Sequence, residues 1–362
     1  MGRGAGPAQP DLAAPTSLWR RLARRWRDPV IILPYLGYGT ARKLTVRGRV
    51  LQDEGFAPAT SADARWRNLV SFYKRLESDE VPGARLRARS HEALTDAEGY
   101  FRLEIPSKKL KPGWQQVEIE LLHPGSAKAV ACVLVPSPRA RFGVISDIDD
   151  TIVRSHVTSK LRMILTVALS NARTRMPFPG VAAFYRALHA GVNPFFYVSK
   201  SPWNLYAPLV QYLEVQGLPA GPLMLRDFGF RTEKQHKRKA IEDILHTYPK
   251  LPFVLSGDSG EQDPEIYADI VHRFPKRIRA IYIRSVAPRR VAEIEKLAAE
   301  VAKTGCQLVL GTEAVAAAAH AAAEGLIQAS DLRLVRADRE SEKSRLDASS
   351  SSNPAVSSGA LK

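Results

Sequence analysis

Two cysteines in 362 residues, Cys132 and Cys306, are too few and too far apart for a disulfide framework or a cysteine zinc site, and a reducing compartment is expected. Long hydrophobic runs are missing as well. The apolar stretch Val30-Ile31-Ile32-Leu33-Pro34-Tyr35-Leu36 falls far below the ~20 residues of a spanning helix, and Pro34 interrupts it. The first residues are rich in Gly, Ala and Pro with no apolar segment behind a basic start, so no signal-peptide pattern is expected there. Acids are the minority charge: 37 Asp and Glu face 53 Lys and Arg, a formal net charge of +16. That imbalance calls for a polyanionic neighbour, whether nucleic acid, an anionic membrane or a phosphorylated substrate. With 45% hydrophobic and 25% charged residues, the chain is otherwise long enough for two domains and a sizeable core. The expected location is cytoplasmic, or peripheral on a membrane.

The basic excess is concentrated near the N-terminus. Between Ser17 and Arg27, Arg20, Arg21, Arg24, Arg25 and Arg27 alternate with Leu18, Trp19, Leu22 and Trp26. At helical spacing the four apolar side chains share roughly one third of the circumference and the arginines take the remainder. Such a helix suits a membrane interface, Trp and Leu downward and Arg toward lipid phosphates; it equally suits a basic helix packed on its own protein. No second basic and aromatic platform accompanies it, so nucleic acid is not expected as a partner.

Four regions follow from composition and periodicity: residues 1–42 as a basic amphipathic segment, 43–140 as an accessory β-domain, 141–334 as the larger domain, and 335–362 as a charged, then Ser-rich disordered tail that cannot bury a core. In the second region the pairs and triplets Leu44/Val46, Leu86/Ala88, Phe101/Leu103/Ile105, Val117/Ile119/Leu121 and Val130/Cys132/Leu134 alternate as half-buried strands do, which predicts an antiparallel sandwich. A helical stripe of Trp66, Leu69, Val70, Tyr73 and Leu76 interrupts it and reads as core. After Arg141, strands at Phe142–Ser146, Phe195–Ser199, Phe253–Ser256, Ala280–Ile283 and Gln307–Leu310 alternate with helical patterns. The fold class expected is therefore α/β, a doubly wound parallel sheet preceded by a smaller antiparallel β-sandwich.

The chemistry concentrates where the first of these strands ends. Val144-Ile145-Ser146-Asp147-Ile148-Asp149-Asp150-Thr151 places Asp147 and Asp149 two apart in extended chain, on one side, at the carboxyl end of a strand. Phosphoryl transfer needs an in-line nucleophile, an acid for the leaving oxygen and a divalent cation, and closely spaced aspartates can supply or hold all three. An Asp-rich surface turn is the plain alternative. Ser199 ends the next strand, Lys237 lies in the basic run Lys234 to Lys239 that opens a helix, and Gly257-Asp258-Ser259-Gly260-Glu261-Gln262-Asp263 ends another strand in acids.

This ordered set resembles the four motifs of the haloacid-dehalogenase-like phosphatases. In Asp147 to Ile152, Tyr197 to Tyr206, His236-Lys237 and Gly257 to Tyr267 it is similar to the actin-patch-associated phosphatidate phosphatase family. The resemblance implies a haloacid-dehalogenase-like catalytic domain in which Asp147 is the nucleophile forming a phosphoaspartate. Asp149 is the general acid and then base, and Thr151 orients Asp149 or its loop. Ser199 binds a phosphate oxygen, and Lys237 holds the phosphate and the Asp147 carboxylate. It also implies Mg²⁺ at Asp147, Asp149 and Asp258, with Asp263 buttressing that shell; oxygen ligands suit this hard cation. Asp150 is either a lesser ligand or turn material. Lys234 and Lys239 lie within a helical turn of Lys237, so the choice of lysine stays open, as does any contact of His236 with phosphate. The segment Thr158 to Ala172 would roof the site or pack on the sheet. Lys200 departs from the small polar residue the family places there and adds positive charge beside Ser199.

The activity implied is Mg²⁺-dependent hydrolysis of a phosphatidate-like lipid to diacylglycerol and phosphate at an anionic membrane surface. Two other readings stay open: a phosphatase of soluble phosphomonoesters, and a membrane-binding module with a degenerate site.

Overall fold

In the computed structural model of the chain, the described residues are 29–52, 80–148, 180–226 and 233–351. The Ser17 to Arg27 helix, the Trp66 to Leu76 stripe, the Thr158 to Ala172 segment, and Asp149, Asp150 and Thr151 lie outside them.

The N-terminal half is an eight-stranded, mainly antiparallel sheet. Its strands are β1 (Val30–Pro34), β2 (Gly37–Gly39), β3 (Lys43–Gln52), β4 (Arg85–Ala88), β5 (His91–Leu94), β6 (Tyr100–Pro106), β7 (Gly113–His123) and β8 (Ala127–Val135). They run in the order β1-β3-β2-β8-β7-β4-β5, with β6 also paired to β3. Alternation predicts the buried face of β3, β4, β6 and β7: Phe101, Leu103 and Ile105 on β6 and Val117, Ile119 and Leu121 on β7 close one core with Leu44, Val46 and Leu86.

Strand β8 is a correction. The buried residues are Ala131, Val133 and Val135, while Val130 is exposed and Cys132 and Leu134 are half-buried. A one-residue slip exchanges the two faces. Both phases of Ala-Lys-Ala-Val-Ala-Cys-Val-Leu-Val are apolar, so the pattern gives little discrimination. Lys128, which pairs with Glu118 across β7 at 3.0 Å, marks the outward phase. The expected boundary at residue 43 also falls inside this sheet, because β1 and β2 belong to it.

The second half is a six-stranded parallel sheet, β9 (Gly143–Asp147), β10 (Phe195–Pro202), β11 (Leu223–Arg226), β12 (Phe253–Asp258), β13 (Ile278–Arg284) and β14 (Gln307–Gly311), in the order β11-β10-β9-β12-β13-β14. Runs such as Phe-Phe-Tyr-Val form strands buried on both faces, as parallel strands require. Val144, Phe195, Tyr197 and Val254 face one core with helices α1 (Val181–His189), α2 (Tyr206–Val215), α6 (Ala314–Ala323) and α7 (Ala329–Ser351). Ile145, Phe196, Val198 and Leu255 face the other, with α3 (Glu233–Thr247), α4 (Asp263–Arg273) and α5 (Val291–Ala302). Edge strand β11, four residues behind Pro222, is too short to stand out in the sequence.

The expected tail from 335 is corrected over its first part, since α7 carries on to Ser351. Val335 is fully buried against the core, and Arg339 Nε pairs with Glu313 Oε2 at 2.6 Å. A single apolar face on an otherwise charged segment is enough to dock a helix.

The two sheets are joined by the crossing from β1 to β2. Tyr35 stacks on Trp203 (4.7 Å, 7°) and lies 4.2 Å from Tyr206 in one core of the parallel sheet, while Tyr38 meets Phe196 edge-on (6.0 Å) in the other. The Leu36 N–H donates to Tyr206 Oη at 2.7 Å, and Tyr248 Oη donates to the Gly39 carbonyl at 3.0 Å. Among the described residues, no helix is long and apolar enough to cross a membrane. Because Leu36 is buried, Tyr206→Phe removes the acceptor of its N–H and should destabilise the protein by about 1–3 kcal/mol in chemical denaturation.

Candidate active site

Strand order brings the acids together. Strand β9 lies between β10 and β12, so its last residue, Asp147, is flanked by the carboxyl ends of the strands carrying Ser199 and Asp258. Open parallel sheets bind ligands at this edge. Asp263 enters from the first turn of α4 and Lys237 from the second turn of α3. Carboxylate oxygens of Asp147, Asp258 and Asp263 lie within 4.8 Å of one another.

Lys237 binds the group into one unit. Its side chain is 4% exposed, and its ammonium contacts Asp147 Oδ1 at 2.8 Å, Glu261 Oε2 at 2.8 Å and Asp263 Oδ1 at 2.9 Å. Among the described residues it donates hydrogen bonds to Glu261 and Asp263 and forms an ion pair with Asp147. Glu261 reaches a second lysine through its other oxygen: Oε1 pairs with Lys200 Nζ. Burial alone would raise the Glu261 carboxyl, but Lys237 and Lys200 outweigh it and hold the group below its ordinary value. Asp263 is driven the opposite way. Full burial, then the neighbouring Asp147 carboxylate, push it well above the ordinary range despite the pull of Lys237.

The acids are fixed by their surroundings. Asp263 Oδ2 accepts the Asp258 N–H at 3.3 Å, and Asp258 Oδ1 accepts the Gly260 N–H at 2.6 Å. Gly257 is required by close approach, because a Cβ there would sit 2.3 Å from Asp263 Oδ2. Behind the carboxylates, the Tyr185 hydroxyl lies 2.8 Å from Ser146 Oγ and 2.9 Å from Ser256 Oγ, tying α1 to β9 and β12. Ser146 Oγ also donates to the Asp147 carbonyl at 2.8 Å. Arg290 clamps the loop carrying Glu261, donating to the Ser259 carbonyl at 2.9 Å and to the Glu261 carbonyl, and pairing with Glu265.

Of the residues singled out in the sequence, Asp147, Lys237, Asp258 and Asp263 are in mutual contact or close array; Asp149 and Thr151 are outside the described residues. Ser199 is buried one position beyond the β10 residue that pairs with Asp147, and its Oγ accepts the Ser201 N–H at 3.0 Å. Among the candidate lysines whose side chains are described, Lys237 is at the acids, whereas Lys239 is 56% exposed and pairs with Asp243. His236 is buried, with Nε2 3.3 Å from the Met224 carbonyl. Glu261 carries no distinguishing signal in the sequence beyond its place between Asp258 and Asp263, and only the fold pairs it with Lys200.

Residues 142–285 match the model of the catalytic domain of phosphatidate phosphatase APP1. Phosphatidate phosphatase APP1 of Saccharomyces cerevisiae is 38% identical over 152 residues, covering 40% of this chain and 26% of the relative. An uncharacterized protein of Schizosaccharomyces pombe is 30% identical over 205 residues, 53% of this chain and 34% of the relative. The matches thus span about a quarter to a third of those relatives' length. Among solved structures, a mutant of the PilB minor pilin from Streptococcus sanguinis aligns at 9% identity with a TM-score of 0.25, over 76% of this chain and 90% of that one, and carries no argument.

Gly257→Ala tests the packing of the acids directly. The added methyl must displace Asp263 from the Asp258 N–H, and overpacking of this kind costs about 1–3 kcal/mol of stability in a thermal or denaturant melt. Any phosphate-releasing activity should fall with it.

Proposed function

We propose that this chain, which belongs through residues 142–285 to the phosphatidate phosphatase APP1 catalytic-domain family, is a Mg²⁺-dependent phosphatase acting on a phosphatidate-like lipid. The products are diacylglycerol and orthophosphate, released through a phosphoaspartyl intermediate. The observation that carries this is the contact of Asp147 with the buried ammonium of Lys237, beside Asp258 and Asp263 at the carboxyl edge of the parallel sheet. The parallel sheet with helices on both faces supports a doubly wound, haloacid-dehalogenase-like domain, and the antiparallel half supports a sandwich ahead of it.

The donor set fits a hard divalent cation. Asp147, Asp258 and Asp263 offer only oxygen, and the four acids of the cluster outnumber Lys200 and Lys237 by two. The upward push on Asp263 marks a place where further positive charge is favourable. These three residues, with Asp149, would hold Mg²⁺, which when bound neutralises charge on the transferring phosphoryl group.

The residues of the chain then divide the work. The Asp147 carboxylate attacks phosphorus in line as the bond to the glycerol oxygen breaks. Asp149 delivers a proton to that leaving oxygen and later takes one from the water that cleaves the phosphoaspartate, regenerating Asp147. Thr151 orients Asp149 or its loop. Ser199 hydrogen-bonds a phosphate oxygen, and Lys237 orients Asp147 while balancing charge on the phosphoryl group.

Phosphate release from phosphatidate in mixed micelles, run beside a panel of soluble phosphomonoesters, tests the substrate. Turnover of the lipid, lost in EDTA and restored by Mg²⁺, is expected; turnover of the soluble panel alone would assign the site to small phosphomonoesters, and full activity in EDTA would remove the metal. The arginines between Ser17 and Arg27 are proposed to hold the enzyme on anionic lipid, at about 1 kcal/mol for each near the surface. Removing residues 1–28 should greatly reduce sedimentation with anionic vesicles at low salt. Equal, salt-insensitive binding of both forms would withdraw that role.

A further inference from the structure

We infer that Lys200 and Lys237 form a two-cation subsite for the substrate's phosphate group, and that the Glu261 carboxylate occupies it until phosphate displaces that side chain. This rests on the phosphatase reading of the site and adds to it a second phosphate-binding lysine and an internal competitor.

The three carboxylates around Lys237 are not equivalent. Asp147 ends a central strand, and Asp263 is wholly buried and also holds the Asp258 N–H. Each has a structural reason to stay. Glu261 lies on the loop between β12 and α4, with its side chain 14% exposed, and its second oxygen is given to another ammonium, that of Lys200. Lysine pairs with a carboxylate or a phosphate oxygen as a point charge, without the forked geometry that would distinguish them. One carboxylate spanning two ammonium groups therefore marks where two oxygens of a phosphate can be received.

Occupancy enforces exchange. Lys237 donates to Glu261 and Asp263 and pairs with Asp147, so a phosphate oxygen that reaches its ammonium competes with these carboxylates. Release of Asp147 would detach the nucleophile from its counter-charge, and release of Asp263 would leave a buried acid unpaired, whereas Glu261 can turn toward solvent. Its backbone stays fixed, since Arg290 holds the Ser259 and Glu261 carbonyls, so the exchange is a rotation of one side chain. Lys200, 21% exposed beside Glu261, then changes partner from carboxylate to phosphate. The positive charge that stands out beside Ser199 in the sequence is thereby given a use.

The prediction differs from that of a merely structural Glu261. Glu261→Gln keeps the shape and removes the competing charge, so inorganic phosphate should bind about tenfold tighter or more, the scale of relieving a like-charge juxtaposition. Binding is read by calorimetry and by competitive inhibition, with a matching fall in KM for a soluble phosphomonoester. Adding Lys200→Gln should abolish the gain, and Lys200→Gln alone should weaken phosphate binding by a similar factor. Unchanged or weaker phosphate binding in Glu261→Gln overturns the proposal, as does a double variant that keeps the gain. If Glu261→Gln does not fold, the Lys200→Gln variant decides, and unchanged binding there overturns the proposal. These arms use phosphate alone, so they stand apart from turnover: a protein that binds phosphate with these shifts yet hydrolyses no monoester fails the phosphatase reading and keeps this one.

Discussion

A buried ammonium group organises this protein's site. Lys237 is withdrawn from water, and a buried charge persists only when it is paired and hydrogen-bonded. Its partners come from three places: the end of β9, the β12–α4 loop and the first turn of α4. The requirement to satisfy one lysine thus fixes the relative positions of the acids, and removal of any one acid changes the environment of the others. The same requirement explains the glycine at 257, where any side chain would drive Asp263 away.

The cluster is held by a framework that reaches well beyond it. Ser146, Ser256 and Tyr185 form a hydroxyl chain under the two acid-bearing strands, and Tyr267 donates to the Ser256 carbonyl at 3.0 Å from α4. Farther out, Tyr35 and Tyr38 leave the antiparallel sheet and enter opposite cores of the parallel one. Trp203, on which Tyr35 stacks, follows directly after strand β10, four residues beyond Ser199. The antiparallel half therefore packs against the chain that continues from strand β10, which gives it a physical connection to the acid cluster.

Much of this was legible in the sequence because the chemistry is tied to strand ends. Asp147 and Asp258 each close a short apolar run, and the strand order, once parallel, sets them side by side. Lys237 was ambiguous among neighbouring lysines, since helical periodicity ranks them poorly; burial separates it from Lys239. Glu261 was not legible, because its partner Lys200 is sixty-one positions away and neither residue advertises the pairing. Strand β8 misled for a simpler reason: with apolar residues in both phases, one lysine was the only marker of the outward face. In α7 the charged composition conceals Val335, which with Leu332 packs the helix on the core. For Glu261 and Val335 the deciding contact is long-range, while the signal available in the chain is local.

Covalent chemistry at Asp147 is the central step of the proposed reaction. Its most direct test is acid quenching of the enzyme during turnover of phosphatidate labelled at phosphorus, followed by peptide mapping. The label should appear as a hydroxylamine-sensitive acyl phosphate on the peptide containing Asp147, and both label and turnover should vanish in Asp147→Asn. Steady turnover by Asp147→Asn at near the normal rate, or label carried on a different residue, would contradict it.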